Sequence, residues 1–126
     1  SNESTCNILK QQLPLFKISY VSRLMAIEAL KDIEYYEEIK NKIKNTRDYI
    51  VWEINKTEKI KAYLSDSNFI YVNTREFKAN SIKSFMAEHG YNIRQFSDDK
   101  YLRISIGEED RMDEFIKCLQ RYFCKR

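Results

Sequence analysis

Residues 91–107, YNIRQFSDDKYLRISIG, decide the fold of this chain. Two short runs rich in apolar and aromatic residues flank the polar tetrad 97–100, which is the pattern of a β-hairpin. If the tetrad forms the loop, Phe96 pairs with Tyr101 and fixes the register of the two strands. Alternate side chains then lie on opposite faces of the sheet. One face carries Ile93, Leu102, Ile104 and Ile106, with Ile93 opposite Ile104, and the other carries Arg94, Phe96, Tyr101, Arg103 and Ser105.

This register places two arginines side by side on the polar face. Arg94 lies opposite Arg103, with Cβ atoms about 5 Å apart, and such a like-charge pair is unfavourable unless an anion lies between or above it. Each guanidinium is a planar fork that can grip a carboxylate or a phosphate with two hydrogen bonds. The pair is therefore a candidate site for a doubly anionic small molecule. The alternative is two ordinary exposed arginines, because a slip of one residue would separate them.

Two further residues are candidates for lining the same site. Tyr101 shares the face of the arginines, and Asn68 stands at the entry to the predicted strand 69–72. Asn68 can equally be a turn residue, since Asn often bonds the backbone of its own turn. No residue of the chain is a candidate catalytic group, cofactor ligand or metal ligand.

The rest of the chain alternates between helical and strand patterns. Apolar spacing predicts helices from Ser19 or Ser22 to about Asp32, from there to about Asn55, from Ala79 to a stop at Gly90, and from after Gly107 to the basic residues Lys125 and Arg126. Strands are predicted at 61–64 and 69–72. The order ααββαββα indicates an α+β fold, a two-layer sandwich in which helices cover one face of a small, mostly antiparallel sheet. The charges of the second helix are predicted to form a solvated face: Glu37, Glu38, Lys40, Lys42, Lys44, Arg47 and Asp48.

Composition excludes several classes of function. The 126 residues include two glycines, so a glycine-rich phosphate loop is excluded, and three scattered cysteines with a single histidine, His89, argue against a zinc site or a disulfide framework. His89 fits a helix end better than a catalytic base. A net charge of +3 on helices of mixed sign is too weak for nucleic-acid binding. No leader or membrane span is recognised, so a cytoplasmic protein is expected. We expect a tag remnant and a ragged segment at 1–12 and one domain at 13–126.

Seven stretches resemble the C-terminal small domain of class I/II pyridoxal-phosphate (PLP) aminotransferases, closest to the histidinol-phosphate aminotransferase subfamily. They are Pro14–Phe16, Val21–Ser22, Ala26–Asp32, an Arg47 that opens a helix, Ser67–Ile70, Gly90–Arg94 and Tyr101–Gly107. The run Leu-Arg-Ile-Ser-Ile-Gly, with Ile-Arg upstream, is the most specific. The stretch 16–19 departs from the family, which usually has Asn soon after a Pro-aromatic pair.

The resemblance implies a role for each arginine. In that family the residue matching Arg103 grips the α-carboxylate of the amino-acid substrate, and the residue matching Arg94 helps to hold a phosphate end. The family's cofactor lysine, the Asp that pairs with the pyridinium nitrogen and the residues around the cofactor phosphate have no counterpart here. The resemblance therefore implies an inactive fragment of a longer, homodimeric enzyme, with PLP bound by a missing large domain. The phosphorylated amino-acid substrate would be held between the two parts.

Other interpretations fit the same residues. A threonine-phosphate decarboxylase-like PLP enzyme of the same fold also needs a grip on a carboxylate and a phosphate. A stand-alone α+β module could sense an anionic metabolite without any chemistry. The parent reading frame would separate these classes, because an upstream cofactor lysine indicates an enzyme and a start codon near Glu3 indicates a module.

Overall fold

The structure is a computed structural model that describes residues 2–12 and 18–124. The predictions for Ser1, for the stretch 13–17, which holds the predicted domain start and the Pro14–Phe16 motif, and for Lys125 and Arg126 lie outside the described residues. The elements are α1 (Glu3–Gln12), α2 (Tyr20–Ala29), α3 (Ile33–Lys56), β1 (Lys61–Ala62), β2 (Phe69–Asn73), α4 (Ala79–Glu88), β3 (Arg94–Gln95), β4 (Tyr101–Ser105) and α5 (Glu109–Cys124).

The chain divides into two compact units, residues 1–37 and 38–126, and the division between them falls within the sequence of α3. In the first unit the Asn2 side chain accepts a hydrogen bond from the Ser4 amide (3.1 Å), a capping contact at the start of α1. Residues 3–12 therefore form a helix where the sequence led us to expect a ragged segment. Ser19 caps α2 in the same way, since its Oγ accepts from the Ser22 amide (3.0 Å). No residue of α2 is buried.

The second unit contains a four-stranded sheet in the order β1-β2-β4-β3, and every ladder among its described strands is antiparallel. The two long strands, β2 and β4, lie in the centre and pair over five residues each. Their burial alternates, with Ile70 and Val72 of β2 and Leu102 and Ile104 of β4 facing the core. The α+β sandwich predicted from the sequence is confirmed.

The described helices of the second unit pack on one face of this sheet. The core draws buried side chains from α3, α4, α5 and the inner face of the strands; its largest fully buried members are Ile50, Ile54, Ile60, Ile70, Ile82, Met86, Leu102, Leu119, Val72 and Thr74. The Asn55 side chain ties α3 to the edge strand β1, because its amide bonds both the N–H (2.8 Å) and the C=O (3.1 Å) of Ala62. The opposite face of the sheet carries the polar and aromatic side chains of β2 and β4.

The helix ending at Gly90 follows the prediction. His89 is the C-cap residue of α4, and Gly90 adopts φ +86°, a conformation that L side chains rarely adopt. The Tyr91 amide then bonds the Met86 carbonyl (2.9 Å) and closes the turn. His89 is exposed, and its Nδ1 lies 2.8 Å from the Phe85 carbonyl oxygen, as befits a helix-end residue.

Arg47 contradicts two expectations. It lies in the interior of α3 and opens no helix, and it is 6% exposed although the sequence placed it on a solvated face. Its Nη1 donates to the Ser67 carbonyl (3.3 Å) in the β1–β2 connection, and its Nε and Nη2 both donate to Asp48 Oδ1 (3.1 and 3.0 Å). A long side chain can cover apolar surface with its methylenes, which helical spacing does not reveal.

Candidate anion site on the open face of the sheet

The two arginines predicted to stand side by side do so. Arg94 of β3 pairs with Arg103 of β4, and the Phe96 amide bonds the Tyr101 carbonyl (3.2 Å), so the predicted hairpin register is confirmed. The ladder is shorter than predicted, because it holds only Arg94–Arg103 and Gln95–Leu102. The expected strand pair of Ile93 with Ile104 is therefore wrong.

Because β3 begins only at Arg94, a pocket opens at the edge of the sheet. β4 continues beyond Arg103 to Ser105, while the chain on the other side of the ladder leaves the sheet before Arg94. The resulting depression has a volume of about 340 Å³, small for a ligand site and suited to a head group rather than to a large ligand. Its lining consists of Lys83, Asn92, Ile93, Arg94, Gln95, Arg103 and Ser105. Three of these side chains are cationic and none is a carboxylate.

Arg103 is the central cation of the pocket. Its side chain is half-buried, and its guanidinium lies over the ring of Phe69, 5.1 Å from the centroid. Its Nε is buried and has no hydrogen-bond partner among the described residues. Because a buried donor without a partner costs about 1–3 kcal/mol, an acceptor reaching this atom would recover part of that free energy.

Arg94 occupies the more exposed side. Its guanidinium lies 6.0 Å from the ring centroid of Phe96, and that ring stacks on Tyr71 with centroids 5.2 Å apart. Tyr71 stands opposite Arg103 on the next strand. Phe69 and Phe96 thus each support one guanidinium, and each arginine has an aromatic ring that limits where its fork can move.

Neither predicted lining residue belongs to the pocket. Tyr101 lies on the same face, but its hydroxyl accepts from Asn73 Nδ2 (3.2 Å) on β2, away from the pocket lining. Asn68 is exposed in the bend before β2, and its carbonyl accepts from the Ile106 amide (2.8 Å), a bond that continues the pairing of β2 with β4. A role for either side chain in binding stays a prediction.

Lys83 is the cationic lining residue that sequence reasoning missed. It follows the fully buried Ile82 and precedes Met86 by three positions, so it stands at the margin of the buried stripe of α4. That position was readable from the helical spacing. Its proximity to the arginines was not, because it depends on how α4 packs beside β3.

A second, larger depression has a different charge. Its volume is about 820 Å³, and it lies between α3 and the stretch before α5, with Glu108 and Glu109 in its lining. Tyr49 lies there too, and a hydrogen bond to Asp113 raises the pKa of its phenol. These acidic groups make it a poor anion site, so the pocket of the arginines is the better candidate.

Residues 2–12 and 18–124 offer little evidence of other kinds of site. No group of three or more His, Cys, Asp or Glu side chains there could hold a metal ion, and no helix there is both long and apolar enough to cross a bilayer. The cysteines are free; Cys118 is buried, and burial raises the pKa of its thiol. A raised thiol pKa disfavours the nucleophilic thiolate.

The pocket does not fit PLP itself. Its lining has no carboxylate to hold the protonated pyridine nitrogen of the cofactor. Lys42, which lines the larger depression, is 67% exposed and forms an ion pair with Glu38 (2.5 Å). A lysine that forms an imine needs a desolvated, neutral amine instead. No chemical step through the cofactor is assigned to these residues.

Fold and pocket together define a small α+β domain that presents positive charge on the open face of its sheet. Residues 1–119 match the family described as Aminotransferase class I and II, and the chain belongs to that family. A histidinol-phosphate aminotransferase of Clostridium botulinum (strain Langeland / NCTC 10281 / Type F) is 34% identical over 124 residues, which cover 94% of this chain.

Solved structures share the fold. The histidinol-phosphate aminotransferase from Clostridium acetobutylicum superposes with a TM-score of 0.80 at 22% identity, over 99% of this chain and 39% of that one. The L-threonine-O-3-phosphate decarboxylase from Porphyromonas gingivalis has a TM-score of 0.62 at 20% identity, over 66% of this chain and 27% of that one. The chain spans 34% of the length of the Clostridium botulinum relative, about one third.

Proposed function

We propose that this chain is the substrate-holding C-terminal domain of a PLP-dependent histidinol-phosphate aminotransferase, which transfers an amino group between histidinol phosphate and 2-oxoglutarate. The observation that carries the proposal is the pairing of Arg94 with Arg103 over a pocket without carboxylates. Both proposed substrates are anions, so cations without internal partners are what the pocket needs to bind them.

The two arginines have separate tasks in this proposal. Arg103 uses its fork to grip the carboxylate of 2-oxoglutarate and so fixes the reacting end of that substrate. Arg94, which is more exposed, helps to hold the phosphate end. Holding the anionic group of each substrate orients its reacting carbon toward the cofactor, and domain closure would exclude water.

The remaining parts of the enzyme would come from a large domain outside this chain. That domain would bind PLP and supply its lysine, so the chain alone would be inactive. The exposed apolar side chains between residues 20 and 36 support such a partner, since monomeric proteins rarely leave large apolar patches in water. These are Tyr20, Val21, Leu24, Met25, Ile27, Leu30, Ile33, Tyr35 and Tyr36. The homodimer and the cytoplasmic location are part of the same proposal.

A threonine-phosphate decarboxylase-like enzyme is the second candidate. The structural similarity to the Porphyromonas gingivalis decarboxylase favours it, and its substrate also presents a phosphate and a carboxylate. It is the weaker candidate, because that similarity covers 66% of this chain whereas the Clostridium acetobutylicum aminotransferase covers 99%. A stand-alone anion-sensing module would not need the exposed apolar side chains of residues 20–36.

The test is steady-state kinetics of the full-length enzyme with Arg103→Ala and Arg94→Ala. Loss of a buried charge partner should lower kcat/KM by the equivalent of about 2–5 kcal/mol for Arg103→Ala. Arg94→Ala should act chiefly on phosphorylated substrates. Arg111→Ala is the control, because Arg111 is an exposed arginine of α5 paired with Glu114 (3.5 Å).

Several outcomes would decide between the candidates. Unchanged kcat/KM for Arg103→Ala would reject the substrate-holding role. Release of CO₂ from threonine phosphate without amino transfer would select the decarboxylase. A parent reading frame that starts near Glu3 and encodes no cofactor lysine would select the module.

A further inference from the structure

We propose that Lys83 is a specificity-determining residue of the arginine pocket, a third cation that favours a dianionic phosphate ester over a carboxylate. The inference rests on the proposed function, since it assigns Lys83 to the site that Arg94 and Arg103 form. Neither the hairpin register nor the resemblance to the family pointed to this lysine, which lies on a different element of the fold.

The fold places Lys83 at the pocket in a defined way. The preceding residue, Ile82, is fully buried under the sheet, and α4 packs against β3 and β4. The Lys83 side chain is consequently half-buried at the margin between the core and the sheet edge, where it lines the same depression as Arg94 and Arg103. A half-buried ammonium loses less of its Coulomb energy to solvent than one on an open helix face.

No described carboxylate neutralises Lys83. The structure records no ion pair or hydrogen bond for its ammonium within residues 2–12 and 18–124. The Asp99 carboxylate is hydrogen-bonded to a residue of the pocket lining, because its Oδ1 accepts from Gln95 Nε2 (2.9 Å). The same oxygen also accepts from the Asn80 backbone amide (2.7 Å) at the start of α4. Asp99 thus serves the helix start and does not line the pocket.

The charge count distinguishes two kinds of anion. One fork, that of Arg103, is enough to satisfy a carboxylate with a single negative charge. A phosphate monoester carries nearly two charges above its second pKa of about 6 and offers three acceptor oxygens. Arg94 and Lys83 supply the additional positive charge, and Lys83 acts as a flexible point charge where the arginines act as oriented forks.

The experiment titrates the 126-residue chain with methyl phosphate and separately with acetate at pH 8 and constant ionic strength. Amide shifts of residues 92–105 in NMR spectra report binding. Lys83→Gln should raise the Kd for methyl phosphate roughly three- to tenfold and change the Kd for acetate less than about twofold. Lys44→Gln, the same substitution on the exposed face of α3, should change neither value.

Further variants separate the possible failures. Lys83→Arg should restore phosphate binding, and Arg103→Gln should weaken binding of both anions. If Arg103→Gln behaves so while Lys83→Gln matches wild type, or if Lys83→Gln weakens both anions equally, the role of Lys83 is overturned and the proposed function survives. If Arg103→Gln has no effect on either anion, the proposed function falls as well.

Discussion

Helices α2 and α4 have the same length, ten residues, and similar apolar spacing, yet α4 is partly buried and α2 is not. α4 buries Ala79, Ile82 and Met86 in the core of residues 38–126, while α2 buries none of its residues. Periodicity therefore predicts both helices equally well but says nothing about whether a partner is present. An amphipathic helix is stabilised mainly by packing of its apolar face, so α2 is the element of the two that requires a partner from elsewhere.

The largest expected effect tests this contrast directly. Ile82→Ala in α4 removes a fully buried side chain and should lower the free energy of unfolding by about 2–5 kcal/mol. Leu24→Ala in α2, where the side chain is 48% exposed, should change it by no more than about 0.5 kcal/mol. Urea denaturation followed by circular dichroism measures both values. A loss of more than about 2 kcal/mol for Leu24→Ala would show that α2 already has a partner within this chain.

A second, smaller effect concerns Arg47, the charged residue that the second unit buries. Arg47→Met keeps most of the side-chain volume but leaves the Ser67 carbonyl and the Asp48 carboxylate without their donor, at a cost of about 1–3 kcal/mol. Arg111→Met removes an exposed i,i+3 ion pair and should cost less than about 1 kcal/mol. Equal midpoints for the two variants in urea would contradict the buried role of Arg47.

The hairpin shows how far sequence reasoning reaches into the site. The polar tetrad 97–100 fixes the loop, and the loop fixes the register, so the pairing of Arg94 with Arg103 could be predicted from local chemistry. The point where β3 leaves the sheet could not, because apolar Ile93 fits a strand equally well and is buried although it lies outside the ladder. That early departure is what opens the pocket.

The positions of long polar side chains could not be predicted from the sequence either. Lys83 and Arg47 are both cations next to buried helical positions; the sequence placed Arg47 on a solvated face and assigned no role to Lys83. Whether such a side chain reaches a pocket, a carbonyl or water depends on the neighbouring element, which is set by tertiary packing. The fold class and the arginine pair were therefore predictable, whereas the third cation of the pocket was not.

The smallest expected effect is a pH dependence of the stability of the second unit. A hydrogen bond to Asp113 raises the pKa of Tyr49, which links α3 to α5. A raised pKa in the folded state means that the neutral phenol stabilises the fold below the ordinary value of about 10, and this stabilisation is lost as pH rises through the folded-state pKa. Between pH 9 and pH 11.5 the Tm of wild type should fall more than that of Tyr49→Phe. Tyr63→Phe, which removes an exposed phenol of the β1–β2 connection, should follow wild type. A Tyr49→Phe curve parallel to that of wild type would contradict the link between α3 and α5.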